Sequence, residues 1–313
     1  MQNTAMSNVL QKSIKIAIIG FGPAGMAAAL QLNRFGLEMV VFDESDVGSL
    51  LVNAWNVENY LGIPEPMSGM ELLDNFRQKL IRNNITPIKE KVLKLNFNEE
   101  EKTFLLESNK NVYTANYAIV ASGTKPRTPS LLDKITPAIK KDIFFEVFPL
   151  FNENNKKIII IGAGDAAFDF ALNLNARGHD VCIVNHSDIV SALPLLQEKV
   201  FANNNIVYKT NLDLKDIKLG SERNLRCFFE NRSAKTGGHI EIDHLIFAIG
   251  RVPRKDFYSK GFLAIENKLI ADGLLSLSGD VNNGIYRQVA IATADGILAA
   301  MKINQEANNV RDS

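Results

Sequence analysis

Two stretches of the chain repeat one order of apolar and polar positions. In the first, the run Lys15-Ile-Ala-Ile-Ile19 gives way to Gly20-Phe-Gly22-Pro23-Ala24-Gly25 and then to Met26-Ala-Ala-Ala-Leu30-Gln-Leu-Asn33. In the second, Lys157-Ile-Ile-Ile-Ile161 gives way to Gly162-Ala-Gly164-Asp165-Ala166-Ala167 and then to Phe168-Asp-Phe-Ala-Leu-Asn-Leu-Asn175. Each stretch then passes a glycine, Gly36 or Gly178, and reaches a second apolar run, Met39-Val-Val-Phe42 or Val181-Cys-Ile-Val184. Short unbroken apolar runs bounded by glycine suit strands buried on both faces, and the alanine- and leucine-rich segments between them suit helices. The pattern predicts strand, glycine turn, helix and parallel strand, twice.

Between the copies, Lys102 to Leu106 and Asn111 to Tyr117 alternate as a meander does, and Tyr117-Ala-Ile-Val-Ala121 reads as a separate buried strand. The same layout follows the second copy: Arg226 to Glu230 and His239 to Asp243 form a candidate hairpin, and Leu245 to Ile249 a buried strand. Leu274 to Leu277 leads into Ser278-Gly279-Asp280, and a helix over Gln288 to Ile303 is expected to close the ordered part. The simplest organisation is an α/β protein with two Rossmann-like, three-layer dinucleotide-binding domains, the second inserted into the first. The first domain is expected at residues 1–122 and 248–313, the inserted one at 123–247.

Composition narrows the partners. Lys+Arg and Asp+Glu both number 35, so no basic excess draws the chain to nucleic acid or an anionic membrane. The two cysteines, Cys182 and Cys227, lie far apart in apolar runs, which suits core residues in a reducing compartment, the cytoplasm. Met1 to Ser13 are polar and read as a disordered tail rather than a secretory signal, and no apolar run approaches a membrane span. The four histidines, His179, His186, His239 and His244, show no metal spacing, and solvated or capping roles are expected for them.

The glycine turns carry the chemistry. A helix N-terminus exposes free N–H groups at the positive end of its dipole, and glycines let a pyrophosphate come close. Gly20, Gly22 and Gly25 with Pro23 and Ala24 stand at such a turn, and Asp43 ends the following strand, where its carboxylate would accept from ribose hydroxyls. The second turn, Gly162, Gly164, Asp165 and Ala166, closes on Ala167 where the first has glycine. No acid ends its second strand; Asn185 stands there as a modest ribose ligand. The plain alternative is a tight turn with no ligand, and it weighs more at the second turn than at the first.

These turns, with one domain inserted in the other, resemble the thioredoxin reductase-like flavoproteins. Val57-Glu-Asn59-Tyr-Leu-Gly62 is similar to the family's E-N-x-P-G segment beside the flavin, with Leu61 for proline. Ala121-Ser-Gly123-Thr-Lys-Pro126-Arg, Phe247-Ala-Ile-Gly250-Arg-Val-Pro253, Gly279-Asp280 and Tyr286-Arg287-Gln288 resemble its strand-end, crossover, G-D and Y-R-Q motifs. The resemblance implies FAD on the first domain and NAD(P)H on the second, with Asp280 on the ribityl chain. It also implies that Arg287, Gln288 and Val289 bring a helix N-terminus to the flavin's pyrimidine end, where it favours negative charge. Hydride transfer to a flavin demands no catalytic side chain, and none is expected. A homodimer is implied as well.

Two departures from that family matter. The place of its C-x-x-C falls on Phe145-Glu-Val-Phe148, and a dithiol exchange needs thiols that phenylalanine cannot supply. These rings are either core filler or packed beside the flavin. With Asp165-Ala-Ala-Phe-Asp169-Phe, the segment resembles the thioredoxin reductase-like ferredoxin or flavodoxin–NADP reductases, although the tail from Asn304 to Ser313 has no flavin-covering aromatic residue. The arginine-rich stretch that clamps a 2′-phosphate is replaced by Asn185-His-Ser-Asp188-Ile-Val-Ser191, which favours NADH over NADPH. The expected activity is therefore an FAD-dependent NAD(P)H oxidoreductase without a cysteine relay, serving a ferredoxin, a flavodoxin or a small molecule. The rival reading is a flavin-binding scaffold or sensor that has lost the electron path.

Overall fold

A computed structural model describes residues 11–45, 49–220 and 224–312. In the first domain the order is β1 (Gln11–Ile19), α1 (Pro23–Arg34), β2 (Met39–Asp43), α2 (Gly69–Ile81), β3 (Ile88–Lys89), β4 (Val92–Asn98), β5 (Thr103–Ser108) and β6 (Val112–Val120). A crossover strand, β7 (Thr124–Pro126), leads into the inserted part: α3 (Pro137–Lys140), β8 (Ile143–Phe144), β9 (Lys157–Ile161), α4 (Asp165–Ala176), β10 (Asp180–Val184), α5 (Pro194–Phe201) and β11 (Ile206–Lys209). The meander β12 (Leu212–Leu219), β13 (Leu225–Asn231) and β14 (Gly237–Ile242) follows, then β15 (His244–Phe247). The chain returns through β16 (Arg251–Pro253), antiparallel to β7, to α6 (Phe262–Ala271), β17 (Leu275–Leu277) and α7 (Val289–Asp312).

The first sheet runs β3-β2-β1-β6-β5-β4, with β17 also paired to β6. Its centre is parallel and covered on both faces, which is why Ile16 to Ile19 are all apolar and buried. The inserted sheet, β11-β10-β9-β15-β8, repeats the arrangement, and Ile158 to Ile160 are its counterparts. Helices α1 and α7 approach backbone to backbone: a Cβ on Gly296 would stand 2.0 Å from the Ala24 carbonyl oxygen. A Ser68–Glu71 capping box starts α2.

The structure corrects several expectations. Strand β1 begins at Gln11, so Gln11 to Ser13 are strand, paired with Val112 to Thr114, and not tail; the rest of the expected tail, residues 1–10, lies outside the described residues. Tyr117 to Val120 are the second half of β6, whose first half pairs with β5 and whose end pairs with β17. Helix α7 continues past Ile303 to Asp312, because Ile303 and Ala307 remain on its buried face. Two histidines are buried: His179 Nδ1 accepts from the Lys156 N–H at 3.3 Å, and His244 Nε2 lies 2.9 Å from Glu153 Oε2.

Candidate functional site

At the carboxyl ends of β1, β2 and β6 lies a cleft of about 780 Å³. Of the residues expected around FAD, all but Gly25, Asn59 and Gly279 line it. The three turn glycines serve three purposes. Gly20 has φ +105° and a Cβ there would meet the Ala121 carbonyl oxygen at 2.4 Å. Gly25 sits against the Gly20 carbonyl, 2.0 Å from where its Cβ would be, and so sets the closeness of helix to strand. Gly22 is bare, with Ser49 Oγ at 3.9 Å as its nearest neighbour, on the side that faces the cleft. Gly22 caps α1 without a side-chain hydrogen bond and Pro23 follows, so the helix presents N–H groups that no cap satisfies.

The acids are placed at the two ends. Asp43 accepts from the N–H groups of Phe21 at 2.7 Å and Ser45 at 2.8 Å, which fixes its carboxylate at the cleft mouth. Burial nevertheless raises its pKa. Asp280 accepts no hydrogen bond from the described residues, and burial raises its pKa against the pull of Arg287 and Arg251. A carboxylate left without a partner in a cleft suits ligand hydroxyls. Arg287, Gln288 and Val289 bring the start of α7 to the same cleft. Asn59 reaches it indirectly, donating to Gln288 Oε1 at 2.7 Å, while Gly279 packs beneath, its N–H donating to Asp295 at 3.1 Å.

The second turn repeats the backbone logic. Gly162 has φ +136° and would place a Cβ 2.4 Å from the Ala248 carbonyl oxygen; Gly164 is open, with Ser191 Oγ at 3.6 Å. Ala167 is fully buried under it, where a methyl fits. Asp165 accepts from the Leu193 N–H at 2.7 Å, and the Ser191 N–H and hydroxyl donate to the Ala163 carbonyl, so the segment after β10 leans over the start of α4. Asp165 and Ala166 are exposed. Asn185 directly follows β10. It is 2% exposed, and its amide bonds the Ile189 carbonyl and the Ser187 N–H within the loop and the Tyr208 hydroxyl on β11. Asp188 turns to Asn211 Nδ2 at 2.6 Å.

The two phenylalanines part company. Phe145 packs into the inserted domain's core with its ring 6.0 Å from Phe247. Phe148 lines the cleft and packs against the first domain's core. The two thiols are elsewhere, on β10 and β13 and off the cleft lining, and burial pushes Cys182 up to about 11 and Cys227 up to about 12. Trp55 and Tyr60 also stay off the lining: Trp55 packs on the inserted domain and Tyr60 edge-on to Phe76 at 5.8 Å.

Sequence reasoning gave no individual role to Asn53, Glu146 or Arg251 and read Asp169 only within a resemblance; the fold brings all four to the domain boundary. Asn53 Nδ2 donates to Glu146 Oε2 at 2.9 Å, and Glu146 pairs with Arg251, which donates to Thr124 Oγ1 and its carbonyl, each at 2.9 Å. Asp169 accepts from the Trp55 N–H at 3.0 Å. Nothing local marks Asn53, which sits in a short 3-10 turn that the periodicity does not show. Among the described residues no cluster of three or more metal-ligating side chains occurs, and no helix is long and apolar enough to cross a membrane.

Comparison with known proteins agrees with this geometry. The pyridine nucleotide-disulphide oxidoreductase family matches residues 14–296. The thioredoxin reductase of Streptomyces coelicolor is 28% identical over 298 residues, 91% of each chain. The fold is shared with the thioredoxin reductase of T. acidophilum (TM-score 0.80, 22% identity, 95% of this chain and 99% of that one) and with that of Lactococcus lactis (0.81, 20%, 95% and 99%). With two glycine turns, one domain carried inside the other and a match across both, the chain belongs to the pyridine nucleotide-disulphide oxidoreductase family, as a thioredoxin reductase-like flavoprotein.

Proposed function

We propose that the protein is an FAD-dependent NAD(P)H oxidoreductase whose flavin hands electrons directly to an acceptor, without a cysteine relay. The observation that carries the reading is Phe148, which stands in the cleft wall while both thiols lie off it, Cys227 buried and Cys182 half-buried. A relay needs a thiolate within reach of the redox group, and the raised Cys182 and Cys227 meet neither condition.

The cleft fits FAD: Gly22 and the uncapped start of α1 suit the pyrophosphate, Asp43 the ribose, and the unpartnered Asp280 the ribityl hydroxyls. The start of α7 suits the electron-rich pyrimidine end, where its N–H groups favour negative charge. Once bound, FAD supplies a two-electron acceptor for the hydride of a nicotinamide. Gly162 and Gly164 suit that nucleotide's pyrophosphate. NADH is the preferred donor, since no arginine stands among Asn185 to Ser191 to clamp a 2′-phosphate. The acceptor is a ferredoxin, a flavodoxin, a quinone-like molecule or dioxygen, and the working form is a homodimer.

One observation favours the rival, a flavin-binding scaffold: Ser191 and Leu193 lean over the second turn. Anaerobic addition of NADH and then NADPH to the purified, yellow protein separates the two. Bleaching of the flavin band by NADH supports the oxidoreductase; a band that neither donor bleaches means the scaffold.

A further inference from the structure

The two domains exchange aromatic rings. Phe148 of the inserted domain packs on the first domain's core, and Trp55 of the first packs on the inserted domain's core. Between them Asn53 is saturated. Its Nδ2 donates to the Leu50 carbonyl and Glu146 Oε2, at 3.0 and 2.9 Å, and its Oδ1 accepts from the N–H groups of Val147 and Phe148, at 3.1 and 3.0 Å. An asparagine side chain can make four hydrogen bonds, and all four are made here. The backbone carbonyl of Asn53 accepts a further one from Asn173 Nδ2 at 2.9 Å.

We propose that Phe148 is a stopper over the redox end of the cleft and that Asn53 is the positioning residue that seats it, so that small oxidants reach the flavin when the Asn53 contacts part. This rests on FAD lying in the cleft as proposed above. The end that Phe148 covers follows from a chain of contacts: Glu146 pairs with Arg251, and Arg287, which precedes α7, donates to the Arg251 carbonyl at 3.2 Å. The ring is backed by Phe151, edge-on at 5.4 Å, whose face carries the Arg177 guanidinium at 3.6 Å. Residues 146–148 are thus held from the first domain, from the crossover and from within their own domain. Asn53 is 5% exposed, so water competes poorly with its contacts, which favour one seating. In a protein with no thiol at this place, the segment serves as a barrier instead of a carrier.

The test reduces the flavin-loaded protein anaerobically with dithionite, so that no pyridine nucleotide is needed, and mixes it with dioxygen. Two electrons and two protons pass from reduced flavin to dioxygen, giving hydrogen peroxide and oxidised flavin. Phe148→Gly is expected to speed reoxidation at least about tenfold, and Phe148→Tyr to return it towards the slow rate. Asn53→Ala is expected to speed it as well and to shift the emission of Trp55, the chain's one tryptophan, to the red as the interface loosens. If Asn53→Ala does not fold, Asn173→Ala removes one arm of the same contact and reads the same signals. Reoxidation of Phe148→Gly within about twofold of wild type, with flavin content and circular dichroism retained, overturns the stopper. Unshifted Trp55 emission in the folded Asn53 or Asn173 variant overturns the seating role. A protein that neither carries nor takes up flavin instead overturns the functional reading, and Trp55 emission of the bare protein still decides the Asn53 contact.

Discussion

The backbone N–H of Trp55 donates to the Asp169 carboxylate at 3.0 Å, tying a loop of the first domain to α4 of the inserted one. Burial dominates the environment of Asp169 and raises its pKa to about 6, with the Trp55 N–H opposing and Asp165 adding to the rise.

That shift makes stability depend on pH. Asp169 is protonated in the folded protein up to about 6, while in the unfolded chain it ionises near its usual 3.8. Between these values the folded state binds the extra proton, so the contribution is fully present below 3.8 and is lost as pH rises through about 6. The slope is at most about 1.4 kcal/mol per pH unit for this one group. Asp169→Asn removes the titration. The melting temperature of the variant relative to wild type is expected to rise from pH 4 to pH 6 and then level off; a flat difference would dismiss the raised pKa.

Gly22 and Gly25 are expected to fail differently. Valine at 22 projects into open cleft, so Gly22→Val should fold with nearly the melting temperature of the flavin-free wild type yet retain little flavin. Alanine at 25 collides with the Gly20 carbonyl, a backbone atom that cannot swing away, and should cost about 1–3 kcal/mol or more even without flavin. Flavin content and denaturant melts of the bare proteins tell them apart.

Thiols are expected to be dispensable. The Cys182→Ala, Cys227→Ala double variant should be bleached by NADH at a rate within about threefold of wild type, since neither thiol lines the cleft. In the native protein a thiol reagent should react slowly with both and quickly after unfolding, as their raised pKa values require.

Donor choice is expected to follow the loop after β10. His186 is exposed there, and Ser187 follows it. The His186→Arg, Ser187→Arg variant supplies two guanidinium groups where a 2′-phosphate would lie, and should shift the kcat/KM ratio towards NADPH by about tenfold or more. No shift would mean that the dinucleotide does not run past this loop.

The two βαβ units are legible in the amino-acid sequence because they are written in neighbouring residues. Unbroken apolar strands, glycines where φ turns positive and alanine-rich helices are local signals, and the absence of a cysteine pair is a matter of reading. Gly20, Gly22, Asp43, Asp280 and Val289 stand out for the same reason: each sits at the end of a recognisable element. The partners of Asn185 are not legible, because a position at a strand end says nothing of a side chain's contacts, and the fold turns its amide inward to Ile189 and Tyr208. Asn53 carries no local pattern, and the motif segments that hold Glu146, Arg251 and Asp169 do not show what these side chains meet. They matter through contacts spanning 93 residues for Asn53 and Glu146, 105 for Glu146 and Arg251, and 114 for Trp55 and Asp169. Sequence by itself determined the two glycine turns and the phenylalanines at 145 and 148. Tertiary structure alone decided that Phe148 lines the cleft while Phe145 packs against the inserted domain's core, because which core each of two nearby half-buried rings meets depends on what the fold places against it.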